Sequence, residues 1–596
     1  MRVVSPFDPA VYAGRGAVGL MVPGVGGTVT RAGALASLER GKVRHALLGG
    51  KPGGRILVRP SASPGDMVTV YVSLPPPGRS ANDRRYPVAV VGCGFHGLLT
   101  SSATRIAGLI SIADVAPAVV HLRRGGCRAP PLGSQRSSDA SARLRSLDRR
   151  IHHVSQAQGW ILVGLLIVGG FLALASGTAG VLFGAGAVAG SLILSAIGID
   201  NFWALIFGTL AIGVALLVWV PRRLVPSAVG AFFIAFLLIL TLDTKLSSLS
   251  VLGAHLQGGG RFYGVTNQLE TLLLAPVLAA LAAAGVLSAV VLAVLVLLTI
   301  GWSHAGADGG GIVVYAVAFA VLFLRSSRAP VTARRLVLAA AAVVVLVIAA
   351  VGIDAALGGS SHVTHAFGGG PGTLFGDLGH RLHLSYLTVT SSSGKEAEFA
   401  VGLAVIVAIA AFIRNGPTVD ALLIALVVSF LVNDSPVDVA FLGALGCWTL
   451  VRWESVDSRA MRRPVVVLAP FVVVALVVAG CGSQGTARPL PQTVVGTIAK
   501  PSAAGQGKGL FTALGCTACH TYTPAGSKAT IGPDLDKLPQ YAKKAKQPLA
   551  SFVKKSIVDP NAYIEKGFPK GVMPTSFKSL PPDQIKALVT FLTKKS

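Results

Sequence analysis

The stretch "LGCTACHT", Leu514 to Thr521, governs the reading of the C-terminal part of a 596-residue chain. Within it Cys516 and Cys519 stand three positions apart, and His520 follows directly. Thiols spaced in this way share one helical turn, with the imidazole beside them. Cys-x-x-Cys-His is the pattern that attaches haem c: the thiols form thioethers to the vinyl groups, and the histidine is the proximal iron ligand. The competing chemistry, a zinc site, needs a second Cys/His pair. The sequence has none, because His520 is the only histidine after His383 and no cysteine follows Cys519.

A second axial ligand has to come from downstream. After Met461 the chain has one further methionine, Met573, in "KGVMPTSF". Met573 is therefore the expected second ligand of the iron. His/Met ligation raises the haem potential and suits one-electron transfer. With both axial positions filled no site is open to substrate, so the expectation is an electron carrier with no catalytic residue.

Residues 503–596 resemble a class I cytochrome c domain, an all-α fold, in pattern and in order. "GQGKGLFTALGCTACH" resembles its N-terminal helix running into the haem motif, and "MPTSF" its methionine loop. "IGPDL" resembles the loop whose proline carbonyl holds the proximal histidine, which implies a bond from His520 to Pro533. The resemblance also implies terminal helices that cross at a glycine and aromatics, here Gly507, Phe511 and Phe591. Helical periodicity supports this independently: Leu549, Phe552, Val553 and Ile557 share one face, as do Ile585, Leu588, Val589 and Leu592. The second set follows a start signal at Ser579, Pro581 and Pro582.

The rest of the chain has a different character. Hydrophobic residues make up 52% and charged residues 13%, and the mean hydropathy is +0.67. That profile calls for many bilayer spans. The net charge is +27, and Arg clusters sit between apolar segments, where membrane topology uses them, so no nucleic-acid partner is expected. The expected architecture is a multidomain membrane protein. It comprises a small α/β fragment over 1–121, an Arg/Ser-rich linker over 122–158, a polytopic α-helical membrane domain over 159–451, a flexible linker over 482–502 and the cytochrome domain.

About 11–12 spans are expected from segments near the ~20 residues a bilayer core requires. They are 159–177, 179–198, 202–220, 225–242, 270–284, 286–302, 311–325, 336–356, 398–413, 418–433, 437–451 and 464–480, with 270–302 alternatively one long tilted helix. Arg222, Arg223, Arg325 to Arg335, Arg414 and Arg452 to Arg463 then fall on the cytoplasmic side. Loops 243–269 and 357–397 and residues 482–596 face outward. The same parity places 1–150 outside, against the eight Arg and two Asp of 122–150. Since "MRVVSPFDPAVYAGRG" has no continuous apolar core of a signal peptide, a translation start further upstream is expected.

At the junction, "MRRPVVVLAPFVVVALVVAGCGSQG", Met461 to Gly485, offers two readings. Small residues before Cys481 resemble a bacterial lipoprotein signal over 461–481, with Cys481 lipidated. The alternative is a final transmembrane helix. Either tethers the cytochrome outside the membrane. Because Met461 opens a complete-looking lipoprotein, the chain is either a true fusion or two neighbouring genes joined.

At the front, "RRYPVAVVGCGFHGLLTSSATRIAGLISIADVAPAVV", Arg84 to Val120, resembles the end of an alkaline-phosphatase-superfamily-like ectodomain. A two-metal hydrolase needs many Asp and His ligands. Residues 1–122 have only Asp8, Asp66, Asp83, Asp114, His45, His96 and His121, so a truncated fragment without hydrolase activity is expected. The six cysteines are too scattered for a disulfide framework. In the membrane zone Arg261, Asn267, Glu270 and Asp308 either mark a site or are solvated loop residues. His362, His365, His380 and His383 have spacings that suit a metal, but loop histidines are ordinarily plain.

The function expected is a membrane-tethered mono-haem carrier of single electrons on the outer face of the cytoplasmic membrane, in a respiratory chain. Between 482 and 596 there are 16 Lys/Arg and 5 Asp/Glu. Such charge is either a plain solvated surface or a means of steering towards acidic redox partners, such as a quinol-oxidising complex or a terminal oxidase. The alternative is a polytopic transporter or envelope-assembly protein with an accessory or misjoined cytochrome module.

Overall fold

The computed structural model describes the chain apart from residues 1, 5–6, 44–46, 52, 57–67, 124–126, 128, 218, 328–329, 357–381, 384, 391, 414–415, 456–506, 509, 512–513, 515, 574–576, 579, 581 and 594–596. The chain divides into two compact units, Met1–Gln484 and Gly485–Ser596. Cys481, the apolar run 464–480, the linker 482–502, His362, His365 and His380 lie outside the described residues.

The first unit opens with a mixed sheet of seven strands, in the order β1 (Arg2–Val4), β4 (Val68–Ser73), β6 (Tyr86–Gly92), β2 (Gly16–Val22), β7 (Gly97–Ser101) and β9 (Leu132–Gln135), with β8 (Leu109–Ser111) also on β2. Strand β2, "GAVGLMV", is buried along its whole length, as a continuous apolar run predicts for a central strand. It runs antiparallel to β6 and parallel to β7 and β8. Its side chains alternate between two cores. Ala17 and Met21 pack with Ala34 and Leu38 of α1 (Arg31–Arg40) and with Val115 and Ala118 of α2 (Val115–Arg123). Val18, Leu20 and Val22 pack with Leu144 and Ile151 and with Leu249, Ala254 and Leu256.

Two expectations are corrected here. Residues 122–158 are no linker: they supply β9 and the first half of α3, a 36-residue helix over Ala140–Ala175. The Asp139 carboxylate accepts from Ala142 N at 3.2 Å and starts that helix. Leu144, Ile151 and Val154 are its buried stripe, which the Arg/Ser composition obscured. The cysteines do form a bridge, because Cys93 and Cys127 are disulfide-bonded. The turn after β6 and the segment before β9 meet there, a proximity made by the sheet and not by spacing.

The helical part continues through α4 (Gly177–Ala196), α5 (Thr209–Leu217), α6 (Val225–Leu242), α7 (Asn267–Ala283), α8 (Val286–Gly301), α9 (Gly309–Ser326), α10 (Ala333–Ala356), α11 (Ser393–Phe412), α12 (Pro417–Val432) and α13 (Pro436–Ser455). Helices α7 and α8 are separate, since Ala284 and Gly285 between them are extended. Among the described residues five helices are long and apolar enough to cross a membrane by length and composition. The most apolar, Ala333–Asp354, buries none of its most apolar stretch; Leu336, Val337, Val344 and Val345 are exposed. A surface of that kind suits lipid.

The second unit contains α14 (Leu538–Lys544), α15 (Leu549–Val558), α16 (Pro582–Thr593) and a short antiparallel pair, β10 (Thr521–Tyr522) and β11 (Ser527–Lys528). The pair is an addition to the expected all-α fold. Phe552, Val553 and Ile557 of α15 and Leu588, Phe591 and Leu592 of α16 enter one core with Phe511 and Tyr522.

Candidate haem site

The site is built from the crossing of the unit's first and last helical segments. Gly507 and Phe511 are helical and buried. A Cβ on Gly507 would lie 2.2 Å from the Ala587 carbonyl oxygen and 2.4 Å from Phe591 Cβ. Only glycine permits this approach. The rings of Phe511 and Phe591 sit 5.9 Å apart. Tyr522 adds an edge contact on Phe591 and donates its hydroxyl to the Phe591 carbonyl at 3.0 Å.

From Phe511 the chain enters a 3₁₀ turn, Cys516–Ala518. The Cys516 carbonyl accepts from Cys519 N at 3.3 Å and from His520 N at 3.1 Å. Burial raises the pKa of the Cys516 thiol. The motif's end is held from below. Ser527 donates to the carbonyls of Thr517, at 2.9 Å, and of His520. Thr521 donates to the Ala529 carbonyl at 2.8 Å.

His520 Nδ1 lies 2.8 Å from the Pro533 carbonyl oxygen. A carbonyl only accepts, so the proton resides on Nδ1 and Nε2 is left with its lone pair for a metal. Gly532 allows the ring to lie against the loop: a Cβ there would be 2.7 Å from His520 Cε1 and 2.9 Å from Nδ1. The loop is closed by Gly532 N donating to the Cys519 carbonyl at 2.6 Å. The quoted "IGPDL" contained Gly532, but its role depends on a ring position that sequence does not give.

Cys516, Cys519, His520, Pro533 and Met573 all line one cavity of about 260 Å³, whose walls include Phe511, Leu538, Phe552 and Ile557. The five residues named from sequence are thus brought together. The donor set fits haem c: two thiols, one imidazole nitrogen with a free lone pair, one thioether and an apolar wall. The approach to Met573 is braced by Asn561, whose Oδ1 accepts from Gly571 N at 3.1 Å. Glu565 accepts from Lys544 Nζ at 2.5 Å and from the Tyr563 hydroxyl at 2.6 Å.

The Lys544 bond, then the Tyr563 bond, lower the Glu565 pKa, and the bond to Glu565 raises Tyr563 to about 12. A depressed carboxylate stabilises the fold above its unfolded pKa of ~4.3 and loses that contribution as pH falls through the folded value. The thermal midpoint read from haem absorbance is therefore expected to fall on acidification below pH ~4. The Glu565→Gln protein should lack that component, so an identical acid response in both would count against it.

The other candidates separate. His383 is exposed, and among the described residues no group of three His, Cys, Asp or Glu side chains suits a metal. Glu270 and Asp308 are not solvated loop residues, being 0% and 3% exposed. Arg261 pairs with Asp308, while Asn267 instead donates to Asp434 at 3.0 Å and to Ser435. Asn433, not foreseen, donates to Glu270 at 2.9 Å. Its only sequence signal was a polar residue ending the apolar run 418–433.

No curated protein and no solved structure matches this sequence. Residues 504–596 match the family model for Cytochrome c, and the C-terminal unit is accordingly a cytochrome c domain.

Proposed function

We propose that this protein is a membrane-tethered mono-haem electron carrier that works on the outer face of the cytoplasmic membrane, within a respiratory chain and towards a terminal oxidase. The observation that carries the reading is the His520–Pro533 bond beside a cavity shared by Cys516, Cys519 and Met573. When bound there, haem c supplies a reversible one-electron couple. Cys516 and Cys519 would hold it through thioethers, and His520 and Met573 would supply the iron's protein ligands. Pro533 fixes the His520 ring and its tautomer, which limits reorganisation when the charge changes. The apolar walls would exclude water from the bound group.

The apolar helices support a membrane location, with about 11–12 spans as the finer reading. The Cys93–Cys127 bridge supports an oxidising compartment for the sheet. The anchor of the cytochrome is either a lipid on Cys481 or a final helix over 464–480. The excess of Lys/Arg over Asp/Glu between 482 and 596 supports docking on acidic redox partners.

The test uses membranes of cells that carry either the full chain or one lacking residues 1–460. A reduced-minus-oxidised haem c band and quinol-driven oxygen uptake should survive the deletion, and uptake should fall steeply with added salt as docking charges are screened. A haem band without any link to oxygen uptake would overturn the respiratory role. Loss of both on deletion would make the first unit part of the machinery.

A further inference from the structure

The stretch "DPNAYIEKGFPKGVM", Asp559 to Met573, runs from the end of α15 to the methionine. It contains no helix or strand, yet Tyr563, Glu565, Phe568, Gly571 and Met573 all line the cavity. Gly567 and Gly571 take φ values of 98° and 86°, so the chain turns twice before it reaches Met573. Glycines that permit such turns also make a loop less rigid. The segment needs a hold from outside itself.

Most of its bonds are internal. Ala562 N donates to the Asp559 carbonyl at 3.1 Å, and Phe568 N to the Glu565 carbonyl at 3.2 Å. Asn561 Oδ1 accepts from Gly571 N at 3.1 Å and closes the loop on itself. Among the described residues, one hydrogen bond carries 560–573 to another element. Lys544 Nζ, at the end of α14, donates to Glu565 Oε1 at 2.5 Å. Glu565 Oε2 accepts from the Tyr563 hydroxyl at 2.6 Å, and the Tyr563 ring stands edge-on to Phe552 of α15, 5.0 Å away. The Lys544 ammonium lies 5.6 Å from the centre of the Tyr541 ring, which steadies it.

An ion pair between two exposed side chains would carry little. This pair is different, because the Glu565 side chain is only 13% exposed while that of Lys544 is 59% exposed. A carboxylate so far from water is costly to leave without its partner. Glu565 is also one of only five acids between 482 and 596, so the general charge of the unit does not account for it.

We propose that Glu565 is a positioning residue for Met573: bonded to Lys544 and Tyr563, it holds segment 559–573 so that the thioether stays at the cavity. This rests on the reading of the second unit as a mono-haem carrier with Met573 as an iron ligand. A tethered ligand competes with one from solution through its effective concentration, which depends on how its tether is held. Glu565 thereby keeps the metal position closed to outside ligands, as a pure electron carrier requires.

The test is imidazole binding to the ferric, haem-loaded full chain in detergent, followed by absorbance well below the unfolding temperature. Imidazole is neutral, so loss of the Glu565 charge neither attracts nor repels it. Glu565→Ala should raise the apparent imidazole affinity about tenfold, the worth of a hydrogen bond to a charged group. Lys544→Ala removes the same bond from an exposed position and should raise it by about threefold or more. The double variant should match Glu565→Ala alone, because both changes act through one contact. Gly507→Ala disturbs the fold elsewhere and should stay within about twofold of the unaltered protein. Unchanged affinity in Glu565→Ala and Lys544→Ala, effects that add in the double variant, or an equal gain in Gly507→Ala would overturn the proposal. Should Glu565→Ala fail to fold, Lys544→Ala reads the same contact. A ferric protein already five-coordinate before imidazole is added would instead overturn the Met573 assignment, and the proposal with it.

Discussion

Gly507→Ala should cost the C-terminal unit about 3 kcal/mol, at the upper end of the usual cost of overpacking. The added methyl would meet the Ala587 carbonyl oxygen at 2.2 Å and Phe591 Cβ at 2.4 Å. The first contact is backbone within α16, so no rotamer change relieves it. The two helical segments have to part, and the Phe511–Phe591 contact and the Tyr522–Phe591 hydrogen bond open with them. Domains of this size have only ~5–15 kcal/mol to lose. The midpoint of thermal unfolding, followed by haem absorbance, is expected to fall by roughly 10–20 °C. Ser551→Ala, at an exposed position of α15, serves as the comparison and should stay within ~0.5 kcal/mol. Equal midpoints for the two variants would show that the crossing is not held at Gly507.

Met573→Ala should lower the haem potential by on the order of 0.2 V, within the roughly 0.8 V that axial ligands command. Among the described residues Met573 is the only methionine of the second unit, and it lines the cavity with His520. Alanine has no donor atom, so the reduced form loses the soft ligand that favours it. The spectrum should change from six-coordinate to five-coordinate, and small ligands such as carbon monoxide should gain access. Redox titration and carbon monoxide difference spectra check both effects. An unchanged potential and coordination would mean that another group ligates the iron.

The residues that line the cavity of the second unit were legible because their motifs are short and chemically distinctive. Cys516, Cys519 and His520 fall within five positions, Met573 is the one methionine after Met461, and Pro533 came from the likeness of "IGPDL" to the family's loop. Gly532 was not legible, since its importance lies in the closeness of an imidazole ring. In the first unit the apolar runs announced the helices, but the start of α3 was hidden. Arg143, Arg145, Ser146 and Arg149 are exposed beside a stripe of only a few buried side chains. The Cys93–Cys127 bridge and the Asn433–Glu270 bond escaped for a common reason. Their partners are 34 and 163 positions apart, and only the sheet in one case and the helix ends in the other bring them together.

The contact of Gly507 with α16 also bears on how the protein is made. The cytochrome's opening segment lacks its crossing partner until the closing helix has been synthesised. A nascent chain that already displays both thiols and His520 still lacks Ala587 and Phe591, and with them one wall of its core. Maturation of this domain is therefore a test of completeness: a chain cut short before α16 would present its cysteines to the attachment machinery without a pocket to keep what is attached.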